Sequence, residues 1–298
     1  MSEETRQSSE VPTPEATAPE ITASGASEAF PWLTRRSLSA SVFFSGPLCG
    51  AADYPDDGPQ GHLHLVQRGP VTLHAAGSAP QRIESPSLIL FARPCRHRLE
   101  TEEQAGADLV CARLTFEGPE ADLLLLGFPE RLVIALDDLE GLEPVLNRLF
   151  DEAFNRTFGQ EAAVDLLIEL LMVMLLRHCV TRGLTQSGLL AGLADPKLAR
   201  ALAAMHQAPE DDLPLERLAA IAGMSRSTFA AAFKARVGLS PGDYLTTLRM
   251  TVARQELLAG RPLKAVAAEA GYRSPTALAR AFQRQFGCGP REWLAQQR

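Results

Sequence analysis

The sequence predicts an α+β protein with an N-terminal β-barrel, a helical segment after it, and a C-terminal domain built only from helices. Short apolar segments separated by turn residues fill the first 120 residues at the spacing of strands. A pattern of 27 or 28 residues occurs twice in the last third, first from Leu215 and again from Leu263. Residues 195–298 contain 15 Lys+Arg and 9 Asp+Glu, a net charge of +6, within a chain whose net charge is −7.

The two copies align with an offset of 48 residues up to their glycines, Gly223 and Gly271, and of 49 residues after them. Apolar residues at helical spacing precede each glycine, which ends a helix because glycine enters the left-handed conformation without steric cost. Ser225 and Ser274 then provide an N-cap for a second helix in each copy. Two helices joined by a glycine turn form a helix-turn-helix, whose second helix enters the DNA major groove.

The charge of the C-terminal domain favours DNA as its partner over a plain helical bundle that serves only protein contacts. A basic helical domain on an acidic protein is typical of nucleic-acid binding. Polar and basic side chains on the second helices and on the helix between the copies suit phosphates and base edges. The candidate DNA-binding residues are Arg226, Ser227, Thr228, Lys234, Arg249, Arg273, Ser274, Thr276, Arg280, Gln283 and Arg284.

Residues 271–293, GYRSPTALARAFQRQFGCGPREW, closely resemble the signature region of the AraC/XylS family of bacterial transcription regulators. The resemblance extends from Asp195 to Trp293. It implies two helix-turn-helix units, held by a linker helix, that bind adjacent major grooves of double-stranded DNA. The family usually has a basic residue where the second copy has Arg280. The first copy has Ala231 there, so we expect it to read less base sequence directly.

Composition and turn signals divide the rest of the chain. Residues 1–29 are rich in Ser, Thr, Glu, Pro and Ala and are predicted to be a disordered tail. The further domains are predicted at 30–120 (barrel), 121–183 (helical segment), 184–194 (linker) and 195–298 (DNA-binding domain). Strands of the barrel are expected at Ser39–Phe44, His62–Gln67, Pro70–His74, Ser87–Phe91 and Leu109–Phe116.

Residues 61–100 resemble the cupin sensor barrel that many regulators of this family carry. The resemblance depends on the run from His64 to Gly69, on the strand Leu88–Phe91 and on His97. It departs from the usual Pro-Gly-Asp at residues 85–87, which are Ser-Pro-Ser.

Metal cupins place their ligands at positions that His62, His64 and His97 occupy here, so the resemblance implies a candidate divalent metal. Three imidazoles suit Zn²⁺ or Fe²⁺. The glutamate that usually completes the set is missing, because Gln67 and Arg68 stand where it would fall. The alternative is that these are ordinary core or pocket histidines.

Three cysteines, Cys49, Cys95 and Cys111, fall in the predicted barrel. Arginines and a histidine surround Cys95 in the sequence, and such neighbours lower the pKa of a thiol and raise its reactivity. Such a cysteine can sense an oxidant or electrophile. The layout also resembles the reactive-chlorine-responsive regulators of the family, which have cysteines near the positions of Cys49 and Cys111, and this resemblance implies the same kind of sensor. One alternative is a small organic effector in the barrel, near His64 and His97. Another is that Cys111 is simply a buried strand residue.

The helical segment is apolar almost throughout residues 160–182, but Asp165, Glu169 and Arg177 interrupt it, so no membrane span is predicted. A helix this apolar is buried on several sides, and the resemblance implies that one side forms a homodimer. Cysteines without paired spacing and a polar N-terminus predict a cytoplasmic protein. RNA polymerase is a further partner if the protein is an activator.

A metal-dependent cupin enzyme fused to a helical domain is the alternative to a regulator. That class needs the missing glutamate ligand and an acid/base group beside the histidines. The sequence therefore favours a sequence-specific DNA-binding regulator that is not an enzyme. We expect its barrel to sense a small molecule, an oxidant or an electrophile and to modulate promoter binding.

Overall fold

The computed structural model describes residues 38–296 except for 57, 103–105, 118–120, 122–123, 126–127, 156 and 186. The predicted disordered tail, residues 1–29, lies outside the described residues. Within them the predicted fold class is confirmed, because a strand-rich N-terminal region leads through two long helices into a domain built only from helices.

Nine strands can be traced in the described residues, and they form two antiparallel sheets. The strands are β1 (Leu38–Leu48), β2 (Ala51–Tyr54), β3 (Gly61–Arg68), β4 (Val71–Ala75), β5 (Gln81–Ile83), β6 (Ser87–Phe91), β7 (His97–Glu100), β8 (Ala107–Phe116) and β9 (Leu132–Ala135). One sheet has the order β1-β8-β3-β6-β9 and the other the order β2-β7-β4-β5. The sequence prediction misses four strands, β2, β5, β7 and β9, because three or four residues are too few for an alternation pattern.

The five-stranded sheet is buried on both faces, which explains its apolar composition. Side chains alternate along each strand, so Val66 of β3 faces the barrel interior together with Leu73 and Leu99 of the four-stranded sheet. Leu63 and Leu65 of the same strand face the other way and pack against helices. The barrel therefore has an interior of its own, and its outer face belongs to a second core.

The segment 121–183 is not entirely helical, which corrects the prediction. Leu132–Ala135 pairs with β6 at the edge of the five-stranded sheet, because the β-branched Val133 and Ile134 fit a pleated sheet better than a helix. Two helices follow, α1 (Glu143–Phe154) and α2 (Gln160–Arg182).

Helix α2 covers the open edge of β1. Asp165 accepts a hydrogen bond from the Val42 N–H at 2.7 Å, and Glu169 accepts one from the Ala40 N–H at 3.4 Å. The carboxylates that interrupt the apolar run thus satisfy backbone donors of an edge strand. Burial raises the pKa of Asp165, against the effect of the hydrogen bond from Val42.

The C-terminal part of the described chain is helical and follows the repeat. It contains α3 (Leu189–Leu193), α4 (Pro196–Gln207), α5 (Leu215–Ala222), α6 (Arg226–Val237), α7 (Pro241–Leu258), α8 (Leu263–Glu269), α9 (Pro275–Phe286) and α10 (Pro290–Gln296). Helices α5 and α6 form one helix-turn-helix unit, α8 and α9 form the other, and α7 connects them. No helix in the described residues combines the length and apolarity that a membrane span requires.

The predicted linker at 184–194 contains the buried helix α3, which packs between α4 and α6. A Cβ on Gly192 would lie 2.8 Å from the side chains of both Leu202 and Val237. The N–H of Gly188 donates to the Arg236 carbonyl of α6 at 3.0 Å. Helix α3 therefore packs this connection against α4 and α6, so it is not a flexible linker.

Two separate apolar cores hold the helix-turn-helix units. The first contains Phe229 and Phe233 of α6 and is continuous with α2 and the outer face of the barrel. The second contains Phe282 of α9 and is confined to α7–α10. Helix α7 passes from one core to the other, with Leu248 in the first and Met250 in the second.

Candidate DNA interface and barrel site

Each recognition helix, α6 and α9, begins at a serine that follows a left-handed glycine turn. Gly223 and Gly271 have φ values of +66° and +71°, where an L side chain is strained. Ser225 and Ser274 each accept a hydrogen bond from the backbone N–H three residues later, at 3.3 and 3.1 Å. The repeat thus builds the same turn and cap twice, as predicted.

One face of α9 is buried and the other is exposed. Leu278 and Phe282 lie in the second core. Exposed on or just before the helix are Arg273, Thr276, Arg280, Gln283 and Arg284. The Gln283 amide also donates to the Gly287 carbonyl at 2.6 Å, so one of its donors is already used at the helix end. Contact of this face with DNA bases stays a prediction.

Helix α6 exposes small side chains where α9 exposes arginines. Ala231 and Ala235, both exposed, stand 49 residues before Arg280 and Arg284. An ion pair of 2.9 Å joins Arg226 to a glutamate of α5. The predicted contacts of this unit, Arg226, Ser227, Thr228 and Lys234, are all exposed on α6.

Arg249, another predicted DNA contact, is half-buried on α7 and already has two partners. Its Nε donates to the Pro209 carbonyl at 2.7 Å, and its Nη2 donates to the Asp211 carbonyl at 2.8 Å. Arg200 of α4, 49 residues earlier, donates to the last two carbonyls of α5 at 3.2 and 3.0 Å. The same offset relates these two arginines, a signal that the sequence comparison of the copies missed. DNA contact by Arg249 stays a prediction.

The three predicted metal histidines come together inside the barrel. The rings of His62 and His64 lie on one face of β3 with centroids 6.1 Å apart, as alternation predicts. His97 of β7 faces them from the other sheet, at 5.3 and 5.0 Å. Tyr54 and Phe91 stack with the His97 ring at 4.8 and 4.0 Å.

A hydrogen bond joins two of these histidines. The Nδ1–H of His97 donates to the Cys95 carbonyl at 2.7 Å, so Nε2 of His97 is an acceptor. The Nε2–H of His64 therefore donates to it, at 2.8 Å. The remaining nitrogen of His64, Nδ1, is a buried acceptor without a hydrogen-bond partner among the described residues, on a side chain that is 0% exposed.

Both imidazoles are neutral at physiological pH. Burial holds the pKa of His64 well below its ordinary value, and the neighbouring His97 and His62 lower it further. Burial lowers the pKa of His97 to about 4, against the hydrogen bond to Cys95. A general acid or base works best with a pKa near the operating pH, so this pair is not poised for catalysis.

The candidate metal set of His62, His64 and His97 does not fit a metal ion in this arrangement. The Nε2 atoms of His64 and His97 are 2.8 Å apart, whereas two imidazoles on a tetrahedral zinc ion need about 3.3 Å. His64 Nε2 also carries a proton and so has no lone pair to give. Across the described residues no group of three or more His, Cys, Asp or Glu is placed to hold a metal. A divalent metal at these histidines therefore stays a prediction, one that this arrangement does not favour.

Cys111 is buried beside the histidines. It pairs with His64 across β8 and β3, and its Sγ lies 3.8 Å from the Tyr54 hydroxyl. Burial raises the pKa of Cys111 to about 12, against the effect of the Tyr54 hydroxyl, and the side chain is 0% exposed. The thiol is therefore protonated and out of reach of solvent.

The expectation that basic neighbours lower the pKa of Cys95 is wrong. Burial raises the pKa of this half-buried thiol, the carboxylates of Glu130 and Asp56 raise it further, and only Arg131 opposes them. The nearby Arg98 instead faces carboxylates on the four-stranded sheet. Proximity in sequence does not place these charges at the sulfur.

Cys49, the exposed thiol of the barrel, follows β1. Leu48, the residue before it, pairs with Ala107, four residues and about 14 Å along β8 from Cys111. A disulfide needs Cα atoms within about 7 Å. Cys49 and Cys111 therefore cannot be joined within one subunit of this conformation.

Sequence reasoning missed the aromatic residues around the histidines. Phe43 lies 6.1 Å from His62, ring to ring, and the Arg113 guanidinium sits 4.8 Å above its face. Phe43 falls at an irregularity in the β1–β8 register, and Tyr54 ends a strand of four residues. Strand pairing alone brings them together, so no local pattern could reveal them.

Two family models match the chain. Residues 32–181 match a model described as Cupin, and residues 218–296 match a model described as Helix-turn-helix domain. The first match covers the barrel together with α1 and nearly all of α2.

Several curated proteins are similar to this chain. An HTH-type transcriptional regulator of Haemophilus influenzae is 33% identical over 172 residues, 57% of this chain and 57% of that protein. An AraC-like transcription regulator of Streptomyces lividans is 31% identical over 246 residues, 81% and 80% of the two chains. The RCS-specific HTH-type transcriptional activator RclR of Escherichia coli K12 is 26% identical over 238 residues, 77% and 82%. The chain thus spans about half the length of the first relative.

Among solved structures, the DNA-binding domain of AdpA in complex with a target DNA is 35% identical to this chain. The match covers 34% of this chain and 92% of that one, with a TM-score of 0.33. The curated relatives above are regulators of transcription rather than enzymes.

The three barrel thiols should alkylate in the order of their exposure. We expect iodoacetamide to label Cys49 first and Cys95 more slowly, with no labelling of Cys111 in the folded protein at pH 8. Burial raises the pKa of Cys95, so its labelling should need a higher pH than that of an ordinary thiol. Mass spectrometry of the labelled peptides over pH 7–10 measures this, and faster labelling of Cys95 than of Cys49 at pH 7 would contradict it.

Proposed function

Because this chain belongs to the AraC family of transcriptional regulators, with a cupin domain ahead of its helix-turn-helix domain, we propose that it binds promoter DNA through α6 and α9 under the control of its barrel. The observation that carries the DNA-binding part is the pair of capped helices with exposed polar faces on a domain of net charge +6. Neutralisation of DNA phosphates by such a domain supplies affinity at any sequence.

The two recognition helices divide the readout of sequence. Helix α9 presents Arg280 and Arg284, whose guanidinium groups donate in pairs to guanine. Helix α6 presents Ala231 and Ala235, which offer only apolar contact with thymine methyl groups, while Lys234 beside them binds phosphate. Helix α9 thus supplies most of the hydrogen-bonded base readout, and α6 fixes the register on the duplex.

Arg280→Ala should weaken binding to the preferred DNA site by about 1–3 kcal/mol and flatten the base preference at one position. Lys234→Ala should weaken binding to all sequences alike and lower the slope of log affinity against log salt by about one. The measurement is an anisotropy titration with duplex DNA that the purified full chain selects from a random library.

Arg148→Ala is the control, because it removes the same charge from α1, outside the proposed interface. It should leave both affinity and salt slope unchanged. If the folded parent selects no sequence and retards no DNA at low salt, the regulator proposal is lost. If Arg280→Ala keeps the parent's base preferences, Arg280 is not a base contact.

In this proposal the signal acts on the barrel. The exposed thiol of the barrel, Cys49, is the candidate target of an oxidant or electrophile. Cys49 is open to solvent, whereas Cys95 is half-buried and Cys111 is buried. The Cys49 sulfur lies near Gly106, just before β8, because a Cβ on that glycine would be 3.4 Å from it. The RCS-specific relative supports an oxidant as the signal.

A second signal, a neutral organic effector inside the barrel, is favoured by the unpartnered Nδ1 of His64. A buried acceptor without a partner costs free energy that a ligand hydroxyl or amide would recover. Tyr54 provides aromatic surface beside it, with ring centroids 4.5 Å apart. Phe43 adds aromatic surface next to the neighbouring His62. The neutral state of His64 and His97 makes an uncharged ligand the better fit.

Hypochlorite or N-ethylmaleimide should change the DNA affinity of the parent protein several-fold, and Cys49→Ser should abolish that change. Cys288→Ala is the matched control, because it removes a thiol from the second core without altering the barrel. Titration of reduced and treated protein against the same DNA measures the effect. An equal response of Cys49→Ser and parent would exclude Cys49 and leave the half-buried Cys95 as the target. No response of the parent would exclude the oxidant or electrophile and leave the organic effector.

A homodimer forms through α2 in this proposal. Leu166 and Leu170, one turn apart, are 62% and 47% exposed, while Ile168 and Leu171 on the other side of α2 are buried against the barrel domain. Exposed leucines at helical spacing pair with the same residues of a second copy about a twofold axis. As a regulator in the cytoplasm, the dimer meets RNA polymerase at promoters that it activates.

Replacement of both leucines by glutamate should convert the dimer into a monomer, because two carboxylates per subunit would then face each other. Sedimentation velocity at micromolar concentration measures the mass. Leu258→Glu is the control, since this leucine is 57% exposed on α7 and lies outside the proposed interface. A parent protein that sediments as a monomer would contradict the dimer.

A further inference from the structure

One side chain, Arg249, contacts both helix-turn-helix units at their junction, and DNA contact does not explain this arrangement. The units have separate apolar cores, and α7 runs through both. Leu248 belongs to the first core and Met250 to the second, so the seam between the cores falls at Arg249. A single helix that crosses such a seam leaves the second unit able to tilt and rotate relative to the first.

The side chain of Arg249 connects the two units at this seam, to one side of the axis of α7. Its Nε and Nη2 donate to the carbonyls of Pro209 and Asp211, in the loop between α4 and α5 of the first unit. The same guanidinium lies against the turn of the second unit, because a Cβ on Gly271 would come within 2.9 Å of Nε. One side chain therefore touches both units.

The two units also touch directly at this point. A Cβ on Gly271 would lie 2.8 Å from the Cα of Glu210, in the loop that Arg249 holds. Gly223, the equivalent glycine of the first unit, would meet only the tip of Arg200, at 3.6 Å. Gly271 is thus required for close approach as well as for its positive φ.

We propose that Arg249 is the positioning residue that fixes the angle between α6 and α9, and thereby the number of base pairs between the two DNA half-sites. The proposal rests on the DNA-binding function proposed above. Neighbouring base pairs differ by about 3.4 Å and about 36° along B-DNA. A fixed angle therefore admits one spacing, whereas a loosened seam accepts adjacent spacings as well.

Substitution of Arg249 by lysine distinguishes this positioning role from a direct contact with a DNA phosphate. Arg249→Lys keeps the charge, and an ammonium group still binds a phosphate as a point charge. The lysine variant lacks the planar, forked set of guanidinium donors, so its single ammonium group cannot bind both carbonyls in the same geometry. Arg200→Lys is the matched control, because Arg200 braces the turn of the first unit and touches no residue of the second in the contacts described above.

The experiment uses the full chain and the duplex that the parent selects from a random library. The duplex is then remade with one base pair inserted or deleted between the half-sites. The parent should lose about tenfold in affinity for either change, comparable to a mismatched base pair. Arg249→Lys should bind the original duplex more weakly, yet lose less than about threefold on insertion or deletion. Arg200→Lys should keep the parent's full penalty.

Gly271→Ala against Gly223→Ala provides a second measurement, since both strain a left-handed turn but only the first forces the units apart. Gly271→Ala should shift the spacing selected from a random library, and Gly223→Ala should not. Thermal melts confirm that each variant is folded. If Arg249→Lys keeps the parent's spacing penalty, the proposal is overturned. If the parent selects no DNA, the DNA-binding function itself fails, which is a different result.

Discussion

Between the five-stranded sheet and α6, apolar side chains form one uninterrupted core. Ile168 of α2, Leu190 of α3 and Phe229 of α6 are each no more than 2% exposed within it. This continuity makes the barrel, the α2 segment and the first helix-turn-helix unit one packed body, because close-packed interiors transmit displacement rather than absorb it. The second unit has a core of its own, and among the described residues it meets this body along α7 and at the seam around Arg249.

The barrel interior combines polar atoms with an absence of charge. His64 and His97 are neutral because burial disfavours the imidazolium, and Cys111 remains a protonated thiol for the same reason. These three groups can bind a ligand or change their hydrogen bonds, but burial keeps the pKa of each away from neutral pH. This agrees with the relatives, which are regulators of transcription.

Periodic and repeated features could be predicted from the sequence, and features made by long-range pairing could not. The duplicated glycine and serine positions specify both turns locally, so Gly223 and Gly271 fall where the pattern places them. The alternation of His62 and His64 gives their shared face. The pKa of Cys95 depends on Glu130 and Asp56, which the fold brings near, and the partners of Arg249 lie about 40 residues away in the chain. The short strands and helix α3 likewise depend on tertiary packing.

The hydrogen bonds that Asp165 and Glu169 of α2 accept from β1 have a consequence for aggregation. An edge strand with free N–H groups is a template on which another chain can add a strand. At Ala40 and Val42 those groups already donate to α2, so this edge is closed to sheet extension at these positions. Subunits that associate beside α2 therefore cannot add a strand at these two positions.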